Sequence, residues 1–589
     1  MNGALLLVIA SACFLAGYFV YSKFIAAKLG VDPSIPTPAH TREDGVDYIP
    51  AHPTVLFGHH FAAIAGAGPI VGPVLAAEFG WVSVALWIVF GCIFIGAAHD
   101  MISLFLSVRH NGESIGSVIG TILGKPGKVL FLLFSWSALI LVVAEFTRQI
   151  TGTFVADPSI ATASLLFIAE AIVFGLCVNK FKMSVLWTSL VFVPLMFAFV
   201  WVGNLFPLDL VSMFGLSPEA TATVWMVVLL VYCFFASTCP VWILLQPRDY
   251  LNAYLLYAMM ALGFIGVFVY QPTLQMPAFV GFTSAVKPSG AVDVLFPFLF
   301  VTVACGACSG FHALVASGTS AKQLDNERGI RPIAYGGMLL EGVLAIIALI
   351  GVAGVYADHA SYFKDLIPDG LHAQPVQMFA STIARFCTSV FTAVGLSEAT
   401  GAMIAKSFIL LSVSAFLMTT VDAGTRLARF SWQELIRSWG TIDQSVNRSI
   451  GQSPTAIGQS VNRSIGQFSN MYFGTFLVVL LAAGFLMNKE ASSQLWTIFA
   501  SANQLLASLT LIAATLWFMA NKRGKWCWMT AIPMVFMLAV SSWALGAIFI
   551  GSVSGETINW AKAGATGFLL TLAFVLVIYG VKAAVKDRR

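Results

Sequence analysis

The stretch GHHFAAIAGAGPIVGP, residues 58–73, decides how the rest of the chain is interpreted. It is apolar enough for a lipid bilayer, but its glycines and prolines do not suit one regular helix. Pro69 and Pro73 have no N–H to donate, so each leaves a carbonyl one turn earlier without its helical partner. In lipid, such backbone groups are tolerated only where protein or a water-filled cavity satisfies them. The stretch therefore predicts a broken membrane helix whose exposed backbone groups bind a solute or an ion.

The composition is that of an integral membrane protein. Of 589 residues, 58% are apolar and 10% are charged, whereas soluble domains carry about a quarter charged residues. The sequence predicts an all-α polytopic membrane protein with about 15 spans, in a range of about 14–18. No basic patch with interleaved aromatic residues indicates nucleic-acid binding. The predicted spans are 4–21, 57–77, 82–106, 129–146, 159–178, 183–202, 224–245, 251–270, 294–317, 333–356, 401–421, 473–487, 495–520, 529–550 and 563–580.

The positive charges predict an orientation. If the N-terminus lies outside, most Lys and Arg residues fall in cytoplasmic connections, where such residues are enriched. We therefore predict a multi-pass protein with the N-terminus outside and the C-terminus in the cytoplasm. The basic residues left in outer connections are Arg148, Lys287, Lys364, Lys489 and Lys562.

The chain divides into three predicted parts: a transmembrane transporter core at 1–425, a cytoplasmic loop at 426–469 and C-terminal transmembrane helices at 470–589. The loop contains QSVNRSIGQ twice, at 444–452 and 459–467. Residues 376–394 alternate apolar and polar side chains with helical period, which predicts an amphipathic helix. This helix lies either in the membrane interface or against the bundle.

A second broken segment is predicted at ACGACSGFHALVASGTS, residues 304–320. In both segments a His precedes a Gly by six residues, as His60 and Gly66, then His312 and Gly318. The two segments cross in opposite directions, which indicates an inverted-repeat transporter with its site near the middle of the membrane. Alternatively, the small residues only allow close helix packing, although packing does not require Pro69.

We predict that a solute binds where the two segments meet. Its histidines could carry or gate a proton, or act as fixed hydrogen-bond donors. The pattern Cys305-x-x-Cys308-x-x-x-His312 resembles metal-ligand spacing, but it lacks a second Cys pair and also suits a crowded helix crossing, so metal binding here or at His59 and His60 stays open. The predicted substrate-binding residues are His59, His60, Gly66, Ala67, Gly68, Ser309, Gly310, His312, Ser317, Gly318 and Asn503.

Ionisable residues inside spans are costly, so each is a functional candidate. For coupling to an ion we rank Glu341 first, then Asp100, then Glu170. Two other sets have helical spacing and look structural, namely Glu145 with Arg148 and Asp422 with Arg426. No GxxxxGK[ST] motif indicates ATP-driven transport, which leaves protons or sodium, and the buried histidines favour protons. We predict no cofactor.

The chain resembles the carbon starvation CstA family of bacterial inner-membrane transporters. The matching stretches are 58–73, PVWILLQPRDYLN at 240–252, ACGACSGFHALVASGTSAKQL at 304–324, TTVDAGTRLARF at 419–430 and FASANQLLAS at 499–508. The resemblance implies location in the bacterial cytoplasmic (inner) membrane, uptake of peptides or pyruvate when carbon is scarce, and a LeuT-like inverted repeat plus extra helices. The broken segments are seven spans apart, where a plain five-helix repeat predicts five. The duplicated loop and Cys308 also depart from the expected pattern.

We therefore predict a secondary-active importer of small organic nutrients, not an enzyme. Its partners are the small-molecule substrate and the lipid bilayer, and its oligomeric state stays open. A membrane redox protein is a rival hypothesis, but it would need haem-ligating histidines on facing helices, which adjacent His59 and His60 do not supply. A passive channel is a third hypothesis, which uphill accumulation would exclude.

Overall fold

The computed structural model describes residues 1–45, 47–240, 242–368, 374–449, 470–488, 494–554 and 558–586, without the side chains of 439–449 and 586. Within these ranges the chain is helical apart from connections and three isolated β-bridges. Here 13 helices are long and apolar enough to cross a membrane, or 14 if one bent pair counts as a span. The predicted all-α polytopic fold is confirmed.

Each predicted span coincides with a helix, but the count of 15 is approximate. One of the helices, Met471–Met487, has only 17 residues, and the second span is a bent pair. Numbered in chain order, the helices are α1 (Gly3–Leu29), α2 (Pro53–Ile64), α3 (Gly68–Ala76), α4 (Trp81–Arg109), α5 (Ile115–Ala156), α6 (Pro158–Lys180), α7 (Val185–Leu205), α8 (Pro218–Thr238), α9 (Leu245–Tyr270), α10 (Leu295–Val303), α11 (Gly310–Val315), α12 (Glu327–Val355), α13 (His359–Leu366), α14 (Pro375–Ala393), α15 (Glu398–Ser449), α16 (Met471–Met487), α17 (Leu495–Ala520), α18 (Trp528–Val553) and α19 (Trp560–Lys586).

The first predicted break lies between α2 and α3. Ala65 leaves the helical conformation with a ψ of 58°, and the N–H of Gly66 donates to the carbonyl of Ile64 at 2.7 Å. The chain re-enters a helix with Pro69 in its first turn, where the missing N–H has no helical partner to lose. The bend is 43°, so the broken-helix prediction is confirmed here.

The second predicted break separates α10 from α11. Ala304 has a φ of 41° and ends α10. Ser309 is extended, with φ −135° and ψ 126°, before α11 begins at Gly310. The intervening residues form a 3-10 turn at Ala304–Gly306 and then leave the helical conformation until Gly310, which confirms the second break.

The two breaks cross in direct contact because glycine leaves room for it. Gly68 faces the side chain of Cys305, and Gly72 lies against the carbonyl oxygens of Thr302 and Val303. A Cβ atom at either glycine would occupy the space of these neighbours. The first two turns of α3 therefore pack on the end of α10, where we predicted the solute site.

The amphipathic segment forms α14 and packs against the bundle. Its Phe379, Ile383 and Phe386 are buried. Ile383 contacts Gly351 in α12, and Phe386 contacts Gly266 in α9. Of the two placements that the sequence left open, packing on neighbouring helices is the one observed.

The polar stretch after residue 425 starts as a helix, because α15 continues to Ser449. Two arginines at the start of this stretch bond to the end of α8. Arg426 donates to the carbonyls of Ala236 and Cys239 at 3.0 and 2.7 Å, and Arg429 donates to the carbonyl of Ser237 at 2.7 Å. The duplicated segments, 444–452 and 459–467, lie outside the described side chains. The division into three parts stays a prediction.

We expect Gly72→Ala to lower the free energy of unfolding by about 1–3 kcal/mol, since its Cβ would overlap the backbone of α10. Melting temperature in detergent measures this effect. Gly546→Ala in α18 is the control, because nothing lies within 4 Å of a Cβ there. Equal melting temperatures for the two variants would contradict the close crossing.

Candidate binding and coupling site

Four ionisable side chains meet beside the two breaks. His60 comes from α2, Asp100 from α4, His312 from α11 and Glu341 from α12, and all four are fully buried. The breaks bring α2 and α11 near enough for these side chains to share one polar region. Four separate helices thus supply one group of side chains, which we call the His-carboxylate cluster.

Asp100 and His312 form the centre of the cluster. His312 Nδ1 lies 2.7 Å from Asp100 Oδ2, and His99 Nδ1 lies 2.8 Å from the other oxygen, Oδ1. On its far side, His312 Nε2 lies 3.3 Å from Glu341 Oε2. The imidazole of His312 is therefore held between two carboxylates on different helices.

His60 links the two broken segments. Its Nδ1 lies 2.7 Å from the hydroxyl of Ser320, which follows α11 in the chain. The sequence match between His60 and His312 thus corresponds to two histidines in one buried region, one bonded to a hydroxyl and the other to a carboxylate. Ser320 was not among the predicted site residues, although it ends the quoted second segment.

Several atoms of the cluster have no hydrogen-bond partner among the described residues. They are His60 Nε2, His312 Nε2 and both carboxylate oxygens of Glu341. An unsatisfied buried polar group costs about 1–3 kcal/mol. The cluster therefore has unused donor and acceptor capacity for a proton, an ion or a solute.

Asn503 in α17 completes the second break. Its Oδ1 accepts a hydrogen bond from the N–H of Phe311 at 2.8 Å, and its Nδ2 donates to the hydroxyl of Ser309 at 3.0 Å. Gly310 lies against the backbone of Asn503 and Ala507, leaving no room for a Cβ. Three of the predicted site residues, Asn503, Ser309 and Gly310, therefore lie together, and the amide takes the place of a missing backbone partner.

The predicted residues of the first break lie beside α15. A Cβ on Gly66 would lie 2.7 Å from the hydroxyl oxygen of Thr420. Ala67 and Gly68 are buried and form the start of α3. These residues border the crossing, where the chain is too close to its neighbours for larger side chains.

Ser317 and Gly318 lie elsewhere than the other predicted residues. They line a cavity of about 300 Å³ together with Lys322 and Glu434. Ser317 accepts from the N–H of Ile115 at 3.1 Å and so fixes the start of α5. The structure therefore separates this pair from the His-carboxylate cluster.

Two further candidates lie apart from the cluster. His59 has its Nδ1 3.8 Å from Asp249 Oδ2 in α9. Glu170 in α6 is buried, and neither of its carboxylate oxygens has a partner in the described part of the chain. No ion pair joins Glu170 to the other coupling candidates in this part of the chain.

The two predicted structural pairs have different outcomes. Arg148 binds Glu145 through two hydrogen bonds of 3.0 and 2.7 Å, so that pair is confirmed. Asp422 instead pairs with Arg248, from the QPRDY stretch between two predicted spans. Sequence spacing could not find this pair because its members are 174 residues apart.

The predicted metal pattern is only partly assembled. Ligand atoms of Cys305, His312 and Glu341 lie within 4.8 Å of one another, a spacing that a metal ion could bridge. Cys308 does not join them in that group, and His59 and His60 face different partners.

Comparisons with known proteins agree with the helical architecture. A model of the family described as carbon starvation protein CstA matches residues 2–371 and 369–544. The peptide transporter CstA of Bacillus subtilis (strain 168) is 32% identical over 612 residues, covering 98% of this chain and 96% of that protein. The pyruvate/proton symporter BtsT of Escherichia coli (strain K12) is 31% identical over 600 residues, covering 92% and 81%.

Two solved structures match most of the chain at low sequence identity. MhsT in complex with L-phenylalanine has a TM-score of 0.42 and 12% identity, covering 91% of this chain and 99% of that chain. A mutant of the Eremococcus coleocola manganese transporter has a TM-score of 0.31 and 11% identity, covering 91% and 95%.

The family match spans most of the sequence, and the relatives match it over more than nine-tenths of its length. The residues that form the breaks and the His-carboxylate cluster all lie within that match. This multi-pass membrane protein therefore belongs to the carbon starvation CstA family.

Proposed function

We propose that the protein is a secondary-active importer of small organic nutrients in the bacterial inner membrane. The observation that carries this proposal is the crossing of two broken helices beside a buried cluster of ionisable side chains. Relatives named as peptide transporters and as a pyruvate/proton symporter support the substrate class. Peptides and pyruvate share a carboxylate.

The geometry of the first break suits an anionic or zwitterionic solute. Helix α3 begins at Gly68 inside the bundle, and helix N-termini attract negative groups. Irregular backbone at the second break, between Val303 and Gly310, supplies further polar groups. A solute held between them would contact both broken segments, and rocking of the surrounding helices would alternate its access.

Protons are the proposed coupling ion. His312 has carboxylates on both sides, from Asp100 and Glu341. Two buried carboxylates around one imidazole leave room for an added positive charge, because an unpaired buried charge is costly. The symporter name of one relative favours protons, while sodium is the alternative for the same cluster. We keep Glu341 as the first coupling candidate and place Glu170 last.

We also propose that the N-terminus lies outside and the C-terminus in the cytoplasm. The cavity beside Ser317 then opens on the cytoplasmic side, because Lys322 and Glu434 lie in cytoplasmic connections of this topology. Such a cavity suits the release of a solute into the cell. A membrane redox enzyme is the rival class, and a colourless purified protein that binds pyruvate or a dipeptide would exclude it.

Replacing Glu341 tests the coupling proposal. In proteoliposomes, we expect a pH gradient to drive uphill uptake of pyruvate or a dipeptide. Glu341→Gln, or His312→Ala, should remove this accumulation but keep some binding or exchange, because the solute contacts at the breaks remain. Glu170→Gln is the matched comparison and should keep proton-driven uptake. Uptake that depends on sodium alone and survives Glu341→Gln would contradict proton coupling, but not the importer itself.

Replacing Gly66 tests the solute site. Gly66→Val should abolish uptake, since its side chain would displace Thr420 at the break. Membrane insertion should be unchanged, as judged by the yield of folded protein. Gly484→Val in α16 is the control, because nothing lies within 4 Å of a Cβ there. Normal uptake by Gly66→Val would remove the first break from the proposed site.

Cysteine labelling tests the proposed orientation. Single cysteines placed in 440–467 should react with a membrane-impermeant reagent only after the cytoplasmic side is opened. The positive charges on that side of the membrane are the reason for this expectation. Labelling from outside intact cells would reverse the topology.

A further inference from the structure

A second buried polar group surrounds Arg248 at the start of α9. Arg248 is one of the largest fully buried side chains. Its Nη1 donates to Asp422 Oδ2 and, at 2.5 Å, to the hydroxyl of Tyr232. Tyr232 donates in turn to the same carboxylate at 2.7 Å. One corner of the guanidinium is therefore held by α8 and α15.

The opposite edge of this guanidinium is unused. Arg248 Nε and Nη2 have no hydrogen-bond partner among the described residues. The nearest carboxylate oxygen in an ion pair with Nη2 is Asp249 Oδ1 at 3.8 Å, which is too long for a hydrogen bond and is also unpartnered. Two parallel N–H groups on one edge of a guanidinium match the two oxygens of a carboxylate.

The charges around Arg248 balance one another. Asp249 and Asp422 are balanced by Arg248 and Arg426, which is bonded to carbonyls at the end of α8. With His59 neutral, the group has no net charge. An incoming carboxylate would therefore meet a free guanidinium edge in a neutral group, and the negative charge that it adds would be offset by a proton or cation imported with it.

The group also lies next to the first break. His59, beside His60 of the cluster, is 3.8 Å from Asp249, and its side chain is 21% exposed, so the group has a neighbour that solvent reaches. On the other side, Asn252 donates to Thr419 at 3.0 Å. Thr419 precedes the residue that faces Gly66. Arg248 is thus close to both the break and a partly exposed side chain.

We propose that the Nε–Nη2 edge of Arg248 binds the carboxylate of the transported solute. The ligand class is a small monocarboxylate or a peptide with a free C-terminus. Asp249, which is too far from Arg248 for a hydrogen bond, moves aside when the solute binds. Asp422 keeps the guanidinium in place. This inference rests on the proposed importer function and assigns it a carboxylate-recognition residue.

The test compares acids with their amides. Binding of dialanine and dialanine amide, and of pyruvate and pyruvamide, is measured on the purified full chain, followed by uptake in proteoliposomes. The unaltered protein should prefer each acid. Arg248→Lys keeps the charge but loses the paired donors, so its affinity for the acids should fall by about 10- to 100-fold, with little change for the amides.

Two further variants keep the test decisive. Arg148→Lys alters another arginine–carboxylate pair and should keep the preference for acids. If Arg248→Lys does not fold, Asp249→Asn serves instead, and it should bind the acids at least as tightly as the unaltered protein because a competing carboxylate is gone. Equal losses for acid and amide in Arg248→Lys, or weaker acid binding in Asp249→Asn, would overturn the inference. An unaltered protein that accumulates neither acid would overturn the importer function itself.

Discussion

The structure depends on satisfying the backbone groups that two broken helices expose inside a membrane. Lipid cannot bond to these groups, so neighbouring side chains must. Asn503 accepts from the N–H of Phe311, while Gln504 and Trp87 both donate to the carbonyl of Phe300 at 2.7 and 3.2 Å. Helices α4 and α17 are therefore fixed around the second break by polar bonds as well as by apolar packing. A break of this kind is stable because side chains from several separate helices bond to its backbone groups.

The need to satisfy buried polar groups also distinguishes charged side chains with a structural role from those that are candidates for function. Glu145 and Arg148 satisfy each other through two bonds on one helix, which leaves no unused capacity between them. Glu341 has no hydrogen bond to either oxygen and faces His312 across 3.3 Å. A structural brace has no need to leave such atoms unpaired in a buried site. Incomplete satisfaction, together with the place of Glu341 beside His312, is therefore the reason that we propose Glu341 as a coupling residue.

Sequence reasoning could predict the breaks because their cause is local. Proline and glycine remove a helical bond or a side chain wherever they stand, so the break beside Gly68 follows from the residues alone. The positions of the spans could also be predicted from the sequence, because the length and hydrophobicity of each segment determine them. The helical start of the stretch after residue 425 was not predicted, and no local pattern reveals that Arg426 bonds to the end of α8.

The candidate site was predictable only in part for a similar reason. His60, His312 and Asn503 belong to the quoted motifs, and each lies at a break. Their partners come from other helices, so the bond to Ser320 and the separate position of Ser317 had to be observed. Arg248 was not among the predicted site residues, because QPRDY lies in the short connection between the predicted spans 224–245 and 251–270.

The positions of the two polar groups connect the break to the rest of the bundle. His59 and His60 are adjacent in α2, yet one faces Asp249 in α9 and the other bonds to Ser320 beyond α11. A rotation of α2 that moves one histidine must move the other, because both are fixed to the same helical turn. Release of a solute carboxylate near α9 would then move His60 within the His-carboxylate cluster. In this arrangement a single half-helix joins the proposed carboxylate site to the ionisable residues proposed for coupling.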